Sequence, residues 1–218
     1  MSPRRDGPPE WPIQTFGLAV LSAALPALAS ARRPVCPKEM ARVPGLRACI
    51  DRFEASLSGP AGIAISRSRA APAVRVSQVE VRAACERAGK RLCLRAEWTA
   101  ACRGAGARHF YPYGARYQPA RCHDRALSRR RHTAGPLPTG SLPRCRTPEG
   151  IYDLSGNVWE WLADTGPGGN PADLAGGGFG NDDDERHLSC VPEERAAQPV
   201  TQRGEAIGFR CCMDHGPQ

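Results

Sequence analysis

DLSGNVWEW, residues 153–161, is the most informative segment of this chain. Gly156 and Asn157 both tolerate positive φ angles, so they predict a tight turn. Trp159 and Trp161 follow two positions apart, and on a strand they would point to the same face. From the residues alone, the segment predicts a β-turn that leads into a strand with two core Trp side chains.

The charge of the chain is carried by arginine. The sequence has 218 residues and a formal net charge of +8, and only Lys38 and Lys90 are lysines. Such a bias, with abundant Ala, Gly and Pro, is typical of a GC-rich bacterial genome. The densest basic cluster, Arg125 with residues 129–131, has no interleaved aromatic residues and no nucleic-acid motif beside it. We expect a solvated loop there and no nucleic-acid partner.

The N-terminus resembles a secretory signal. Arg4 and Arg5 precede an apolar run from Phe16 to Ala31, which ends in small-x-small cleavage patterns. The run is short for a membrane span and contains Pro26, so a cleaved signal is favoured over a spanning helix or a buried N-terminal helix. We expect a signal peptide over residues 1–31, a mature domain over 32–218 without a membrane span, and a periplasmic, outer-envelope or extracellular location.

The ten cysteines indicate disulfides. Their number is high and even, and with a signal-like start this predicts an oxidising compartment. The competing interpretation is a metal–thiolate cluster. No C-x-x-C pair with partner spacing exists, so a zinc site is not favoured.

The pattern of elements predicts an α+β fold with long loops. Ser77 and Glu80 have capping-box spacing and predict a helix over residues 78–88 that ends at Gly89. A second helix is expected over residues 95–103. Strands are expected over residues 47–55, 158–162, 177–180 and 207–213, and residues 56–73 and 105–150 should be largely irregular.

Three further segments, with the opening one, carry a resemblance to a known family. They are AGKRL (88–92) with Ala96-Glu97-Trp98, YPYG (111–114) and GFRC (208–211). In this order they resemble the signature strings of the formylglycine-generating enzyme (sulfatase-modifying factor) family. The resemblance covers about residues 45–213 and implies a C-type-lectin-like α+β domain with little regular structure.

The resemblance also implies part of the disulfide pattern. Matching cysteines of the family imply Cys85–Cys211 and Cys102–Cys190, long loops whose closure would stabilise the fold by roughly 4 kcal/mol each. Six cysteines then remain, and they allow fifteen pairings. Proximity favours Cys36–Cys49 and Cys122–Cys145, and Cys93–Cys212 is expected because Cys93 follows Cys85 toward the same strand end. A vicinal Cys211–Cys212 bridge is the alternative.

The family's oxidases bind copper through two cysteines that follow a GGS(W/Y) strand, and they oxidise a substrate cysteine to formylglycine. The matching residues here are Gly178 in place of Ser, and Asn181 in place of the first copper cysteine. Soft thiolates are what Cu(I) requires, so the sequence argues against copper and leaves the question of enzyme activity open. A diverged site that uses Cys211 and Cys212, or His187 with the acidic loop 182–185, is the alternative.

A calcium site is the remaining candidate. The resemblance implies that Asp153, the carbonyls of Gly156 and Val158, and Glu160 bind Ca²⁺, and all four offer the oxygen ligands that calcium prefers. Carboxylates that cap the turn are the alternative. The family's second calcium site falls near His123, which is a poor calcium ligand.

Taken together, the signal-like start, the cysteines and the missing copper cysteine predict an exported binding module for a peptide, a glycan or an envelope partner. A purely structural envelope protein and an active oxidoreductase are the alternatives.

Overall fold

The computed structural model describes residue 7 and residues 36–105, 108–181, 185–191 and 196–215; the side chains of residues 185 and 186 are not described. Apart from residue 7, the expected signal peptide lies outside these residues. Within the described ranges, no helix has both the length and the apolar content needed to cross a membrane.

The fold mixes short strands with three longer helices. The strands are β1 (Met40–Arg42), β2 (Ala48–Asp51), β3 (Ala55–Ser58), β4 (Ile63–Ser66), β5 (Arg91–Leu92), β6 (Trp159–Thr165), β7 (Ala172–Ala175), β8 (Ala196–Gln198), β9 (Ile207–Phe209) and β10 (Cys211–Asp214). The helices are α1 (Gln78–Arg87), α2 (Arg95–Arg103), α3 (Arg125–Arg131) and the single turn α4 (Glu185–Leu188), with a 3₁₀ turn at Pro167–Gly169.

Two four-stranded sheets and one hairpin organise these strands. The first sheet has the antiparallel order β1-β2-β10-β5, and the second has the order β8-β7-β6-β9. In the second sheet β6 runs antiparallel to β7 and parallel to β9. Strands β3 and β4 form the hairpin. This is the α+β class that the sequence predicts.

The helix starts follow their capping signals. The Ser77 hydroxyl accepts a hydrogen bond from the Glu80 N–H, and the Glu80 carboxylate accepts one from the Ser77 N–H at 2.8 Å. This reciprocal capping box satisfies two of the orphan donors at the start of α1. Helix α2 covers residues 95–103, as predicted.

Two buried apolar clusters lie on either side of the strands, and β6 contributes to both. Leu162 packs in the first cluster with Ile50 and Trp98, whereas Trp161 packs in the second with Phe209. Trp159 packs against the second cluster as well, so the two Trp side chains share a face, as predicted.

Five disulfides tie the strands and helices together. Cys211 and Cys212 are neighbours on β10 but belong to different clusters, and each bridges to its own partner. All ten cysteines are paired, in the five combinations expected above: Cys36–Cys49, Cys85–Cys211, Cys93–Cys212, Cys102–Cys190 and Cys122–Cys145. Neighbouring strand residues point to opposite faces, which accounts for the absence of a vicinal bridge between residues 211 and 212.

Several predicted elements were wrong. Residues 177–180 form a turn rather than a strand, because Gly176 and Gly177 take φ angles of 89° and 69° directly after β7. Residues 56–73, predicted as a loop, include the β3–β4 hairpin. The arginine cluster lies on helix α3, whose N-cap Asp124 accepts a hydrogen bond from the Leu127 N–H at 2.8 Å.

Candidate functional site

The turn before β6 is held by close backbone contacts. Asp153, Gly156 and Asn157 have φ angles of 59°, 81° and 62°. The Gly156 N–H donates to the Gly176 carbonyl at 2.7 Å, and a Cβ at Gly156 would lie 2.3 Å from the His123 carbonyl oxygen. Only glycine fits at residue 156, because the close contact excludes a Cβ and the left-handed φ disfavours one.

Glu160 lies in the core and faces Arg210, which sits between β9 and β10. Arg210 donates from Nε to Oε2 at 2.7 Å and from Nη2 to Oε1 at 2.6 Å, a bidentate pair. The Trp98 indole also donates to Oε2 at 2.8 Å. Both charged side chains are fully buried, so this pair links β6 to the strand break at residue 210.

Glu54 is a second buried carboxylate beside the turn. It accepts hydrogen bonds from Asn157 Nδ2 at 2.5 Å and from the Val158 N–H at 3.1 Å. Burial raises the pKa of Glu54 well above its ordinary value, and the charges of Asp153 and Glu160 raise that pKa further. We call Glu54, Asp153, Glu160 and Arg210 the carboxylate cluster.

Asp153 completes the carboxylate cluster. Its Oδ2 accepts a hydrogen bond from the Gly140 N–H at 2.6 Å. Burial raises the pKa of Asp153 to about 6. Three carboxylates thus share one guanidinium in the core. Uncompensated buried charge is costly, so protons or a cation must balance the excess.

The expected calcium ligands lie together on the turn and β6. Asp153 and Glu160 are close enough for their charges to interact, and Gly156 and Val158 lie between them in the chain. The donor set is all oxygen and carries excess negative charge, which fits calcium. In the described part of the chain, three side-chain ligand atoms come within 4.8 Å of one another only at Cys36, Cys49 and His215, where the two sulfurs form a disulfide. Backbone carbonyls would therefore have to complete a calcium site.

His123 occupies the region of the doubtful second calcium site. Its Nδ1 lies 3.0 Å from Asn157 Oδ1, which also accepts a hydrogen bond from the Leu137 N–H, and its Nε2 lies 3.0 Å from Ser128 Oγ. Burial lowers the pKa of His123, which favours the neutral ring. The hydroxyl of Ser128 also lies 2.9 Å from the Phe179 carbonyl, so this network connects the turn to α3 and to the glycine-rich segment.

The glycine-rich segment 176–181 follows β7. Asn181 closes it, because Asn181 Oδ1 accepts from the Gly178 N–H at 2.8 Å and the Asn181 N–H donates to the Gly178 carbonyl at 2.9 Å. A Cβ at Gly178 would lie 3.1 Å from the Trp159 ring. The half-buried Trp159 ring contacts His187, with ring centroids 5.2 Å apart. We call Trp159, Gly178 and His187 the Trp159 surface.

The cysteines leave no thiolate near this segment. Cys190, Cys211 and Cys212 are all buried and bridged. The alternative site that uses Cys211 and Cys212 therefore lacks its nucleophiles. The other alternative required His187 with the acidic loop, and residues 182–184 lie outside the described ranges.

The family model of the sulfatase-modifying factor enzyme 1-like domain matches residues 46–215. The chain belongs to the formylglycine-generating enzyme (sulfatase-modifying factor) family. Its fold is the C-type-lectin-like α+β fold expected from the resemblance.

Relatives within the family include one that is named as inactive and one that is named as the formylglycine-generating enzyme. The chain is 31% identical over 171 residues to the inactive Cα-formylglycine-generating enzyme 2 of Mus musculus, covering 73% of this chain and 54% of that protein. It is 28% identical over 187 residues to the formylglycine-generating enzyme of the same organism, covering 73% and 48%. The chain thus spans about half the length of the curated relatives it matches.

A solved structure supports the fold. The structure of PvdO from Pseudomonas aeruginosa superposes with a TM-score of 0.57 at 20% identity, covering 77% of this chain and 80% of that one. At this identity the likeness concerns the fold alone.

Sequence reasoning missed some of the residues that build the carboxylate cluster. Glu54 ends the mixed apolar and charged stretch CIDRFE, and a charged residue inside a predicted strand is the signal that could have marked it. Arg210 was part of the GFRC string, but its pairing with Glu160 over 50 positions has no local signature. His123 was noted only as a poor calcium ligand, whereas it bonds the turn through Asn157.

Proposed function

We infer that this chain is an exported binding module of the formylglycine-generating enzyme family, and that it does not perform the family's copper-dependent oxidation. The observation that carries the proposal is the pairing of all ten cysteines. Cu(I) chemistry of this kind needs two soft thiolates close together, and a disulfide sulfur does not supply one.

The glycine-rich segment supports the same proposal. Asn181 stands where the resemblance places the first copper cysteine, and both its amide and its backbone are used to close the turn. An asparagine offers no thiolate. The relative that is 31% identical to this chain is itself named as inactive.

Ligand binding is proposed for the Trp159 surface, where the family's substrate would lie. Trp159 and His187 are half-buried there, and their rings pack against each other beside the buried Gly178. Partly exposed aromatic rings suit a peptide, a glycan or an envelope protein as the partner.

Calcium is proposed as a structural ion of the turn, held by Asp153, Glu160 and the carbonyls of Gly156 and Val158. The support is the excess of carboxylates over guanidinium in the carboxylate cluster and the oxygen-only donor set. A bound divalent cation would neutralise the buried charge that Arg210 leaves unbalanced.

Export is proposed from the disulfides and from the signal-like N-terminus. Five disulfides in one domain are typical of proteins that fold in an oxidising compartment. A periplasmic, outer-envelope or extracellular location would satisfy this requirement.

A cysteine-peptide assay tests the proposal. The disulfide-intact protein is incubated with copper, oxygen, a reductant and a peptide that contains a single cysteine, and the peptide is followed by mass spectrometry. Mouse formylglycine-generating enzyme serves as the positive control. We expect conversion with the control and none with this protein; conversion of cysteine to formylglycine by this protein would overturn the proposal.

A further inference from the structure

Two adjoining cavities lie on loops that the proposed function does not use. Their volumes are about 330 Å³ and 300 Å³, and both are lined by Arg121, Pro143 and Arg144. Arg130 of α3 lines the first cavity, and Arg146 lines the second. We call the two together the arginine cleft. It contains no residue of the Trp159 surface or of the carboxylate cluster.

A disulfide builds the centre of the arginine cleft. Arg121 and Arg144 directly precede Cys122 and Cys145, and the bridge between these cysteines brings two loops together. Arg121 Nε donates to the Arg144 carbonyl at 3.1 Å. The cationic side chains therefore converge on a cross-linked frame.

Tyr113 fixes the orientation of Arg121. The Arg121 guanidinium lies 4.9 Å from the centre of the Tyr113 ring, within cation–π range. Its Nη1 donates to Gln118 Oε1 at 2.8 Å, and among the described residues its Nη2 donates to no partner. One edge of a pre-oriented guanidinium is therefore available to a ligand.

The charge of the cleft is uncompensated. Among the described residues, no acidic side chain lines either cavity. Asp124 lies nearby, but it is buried and accepts hydrogen bonds from Tyr117 and from backbone N–H groups. Arg130 and Arg144 are exposed and form no ion pair with a described residue. Like charges held together without partners favour an anionic ligand.

We propose that the arginine cleft binds an acidic polysaccharide and that the carboxylate groups of the polysaccharide pair with the arginines. Guanidinium forks match the two oxygens of a carboxylate, and two cavities with shared walls suit an extended chain with repeated charges. The prolines of the walls, Pro112, Pro119, Pro143 and Pro148, offer flat, rigid surfaces for sugar rings.

The lining disfavours two other polyanions. It contains no residue of a named strand, so an acidic peptide could not add to a sheet edge, the mode that gives extended peptides their affinity. Nucleic acid is disfavoured because the cleft presents a single Tyr ring for base stacking, and that ring is engaged by Arg121. This choice also rests in part on the proposed export, since acidic polysaccharides are the polyanions expected outside the cell.

Titration calorimetry with oligogalacturonate tests the proposal. The disulfide-intact protein is titrated at low and high salt, with a neutral malto-oligosaccharide of equal length as the control sugar. The variant R130Q/R144Q removes two cleft charges without breaking a described contact. The matched control R116Q/R129Q removes two exposed arginines of the same part of the chain that line neither cavity.

We expect salt-sensitive binding of oligogalacturonate, a loss of at least about tenfold in R130Q/R144Q, and a change within about twofold in the control variant. Equal weakening of both variants, or no binding by wild type, would overturn the proposal. So would tighter binding of polyglutamate or single-stranded DNA of the same charge. The readout is separate from the cysteine-peptide assay, so failure of one proposal is distinguishable from failure of the other.

Discussion

Arg210 and Glu160 form a bidentate ion pair in which both side chains are fully buried, with N–O distances of 2.7 and 2.6 Å. The pair lies between the turn at residues 153–158 and the C-terminal strands. It also supplies the only guanidinium of the carboxylate cluster. Its role is therefore to make the burial of Glu160, and of the neighbouring Glu54 and Asp153, tolerable.

Arg210→Gln should be strongly destabilising. Removing the cation leaves the charge of Glu160 buried without a counter-ion, a change that costs about 3–5 kcal/mol in the free energy of unfolding. Arg203→Gln is the matched control, because Arg203 pairs with Glu80 at the surface, where both side chains are about half exposed, and such pairs contribute at most about 1 kcal/mol. Urea unfolding measures both. Equal losses in the two variants would show that the buried pair contributes no more to stability than the surface pair does.

Gly156→Ala should disrupt the turn. Its new Cβ would lie 2.3 Å from the His123 carbonyl, in addition to the strain of a φ of 81°. Gly168→Ala is the control, because Gly168 has a φ of 70° but nothing within 4 Å of its Cβ. We expect a loss of about 1–2 kcal/mol in the control from backbone strain alone, and a clearly larger loss at residue 156. Equal losses of thermal stability in the two variants would contradict the predicted clash between a Cβ at residue 156 and the His123 carbonyl.

Calcium should raise the melting temperature of the wild type through Asp153. A ligand that binds only the folded state stabilises it by mass action, about 2.7 kcal/mol at a hundredfold excess over Kd. Asp153→Asn keeps a residue that tolerates the left-handed φ of 59° but removes the charge, so the calcium-dependent rise should disappear. Asp214→Asn, at an exposed position, should keep it. If wild type melts alike with calcium and with chelator, the proposed site is wrong.

The stabilisation that Glu80 contributes at the start of α1 should depend on pH. The hydrogen bonds that Ser77 donates from its backbone N–H and its hydroxyl lower the pKa of Glu80 below 4.5. The folded pKa is depressed, so this stability is present above about pH 4.5 and is lost as pH falls through the folded pKa. Glu80 is exposed, so the effect should be only a few tenths of a kcal/mol. The free energy of unfolding of wild type and of Glu80→Gln is measured at neutral and at acid pH. The difference between the two proteins should shrink on acidification, and a difference that grows would contradict the prediction.

The sequence predicts features that depend on neighbours in the chain. The capping box at Ser77 and Glu80 and the boundaries of α2 were confirmed, because capping and termination signals are local. The fold class and the family were also confirmed, since the ordered motif strings carry them. The paired Trp residues of β6 face one core, as the period of a strand requires.

Other features depend on residues far apart in the chain, and sequence patterns do not report these. The β3–β4 hairpin lies in a Gly- and Ser-rich stretch whose burial is decided by packing, and its two strands were missed. Arg210 interrupts the predicted strand 207–213 because the chain passes there from one sheet to the other: β9 pairs with β6, whereas β10 pairs with β2 and β5. Convergence of Arg121 and Arg144 follows from the bridge between Cys122 and Cys145, and six cysteines allow fifteen pairings.

Disulfide mapping measures the cysteine pairing on which the proposed function depends. The protein is purified without reductant, blocked with a thiol reagent, digested without reduction and analysed by mass spectrometry. We predict no blocked cysteine and five linked peptide pairs, including Cys102–Cys190 and Cys85–Cys211. Two free thiols that take up Cu(I) would contradict the proposed function, because they would supply the thiolate pair that the copper chemistry requires.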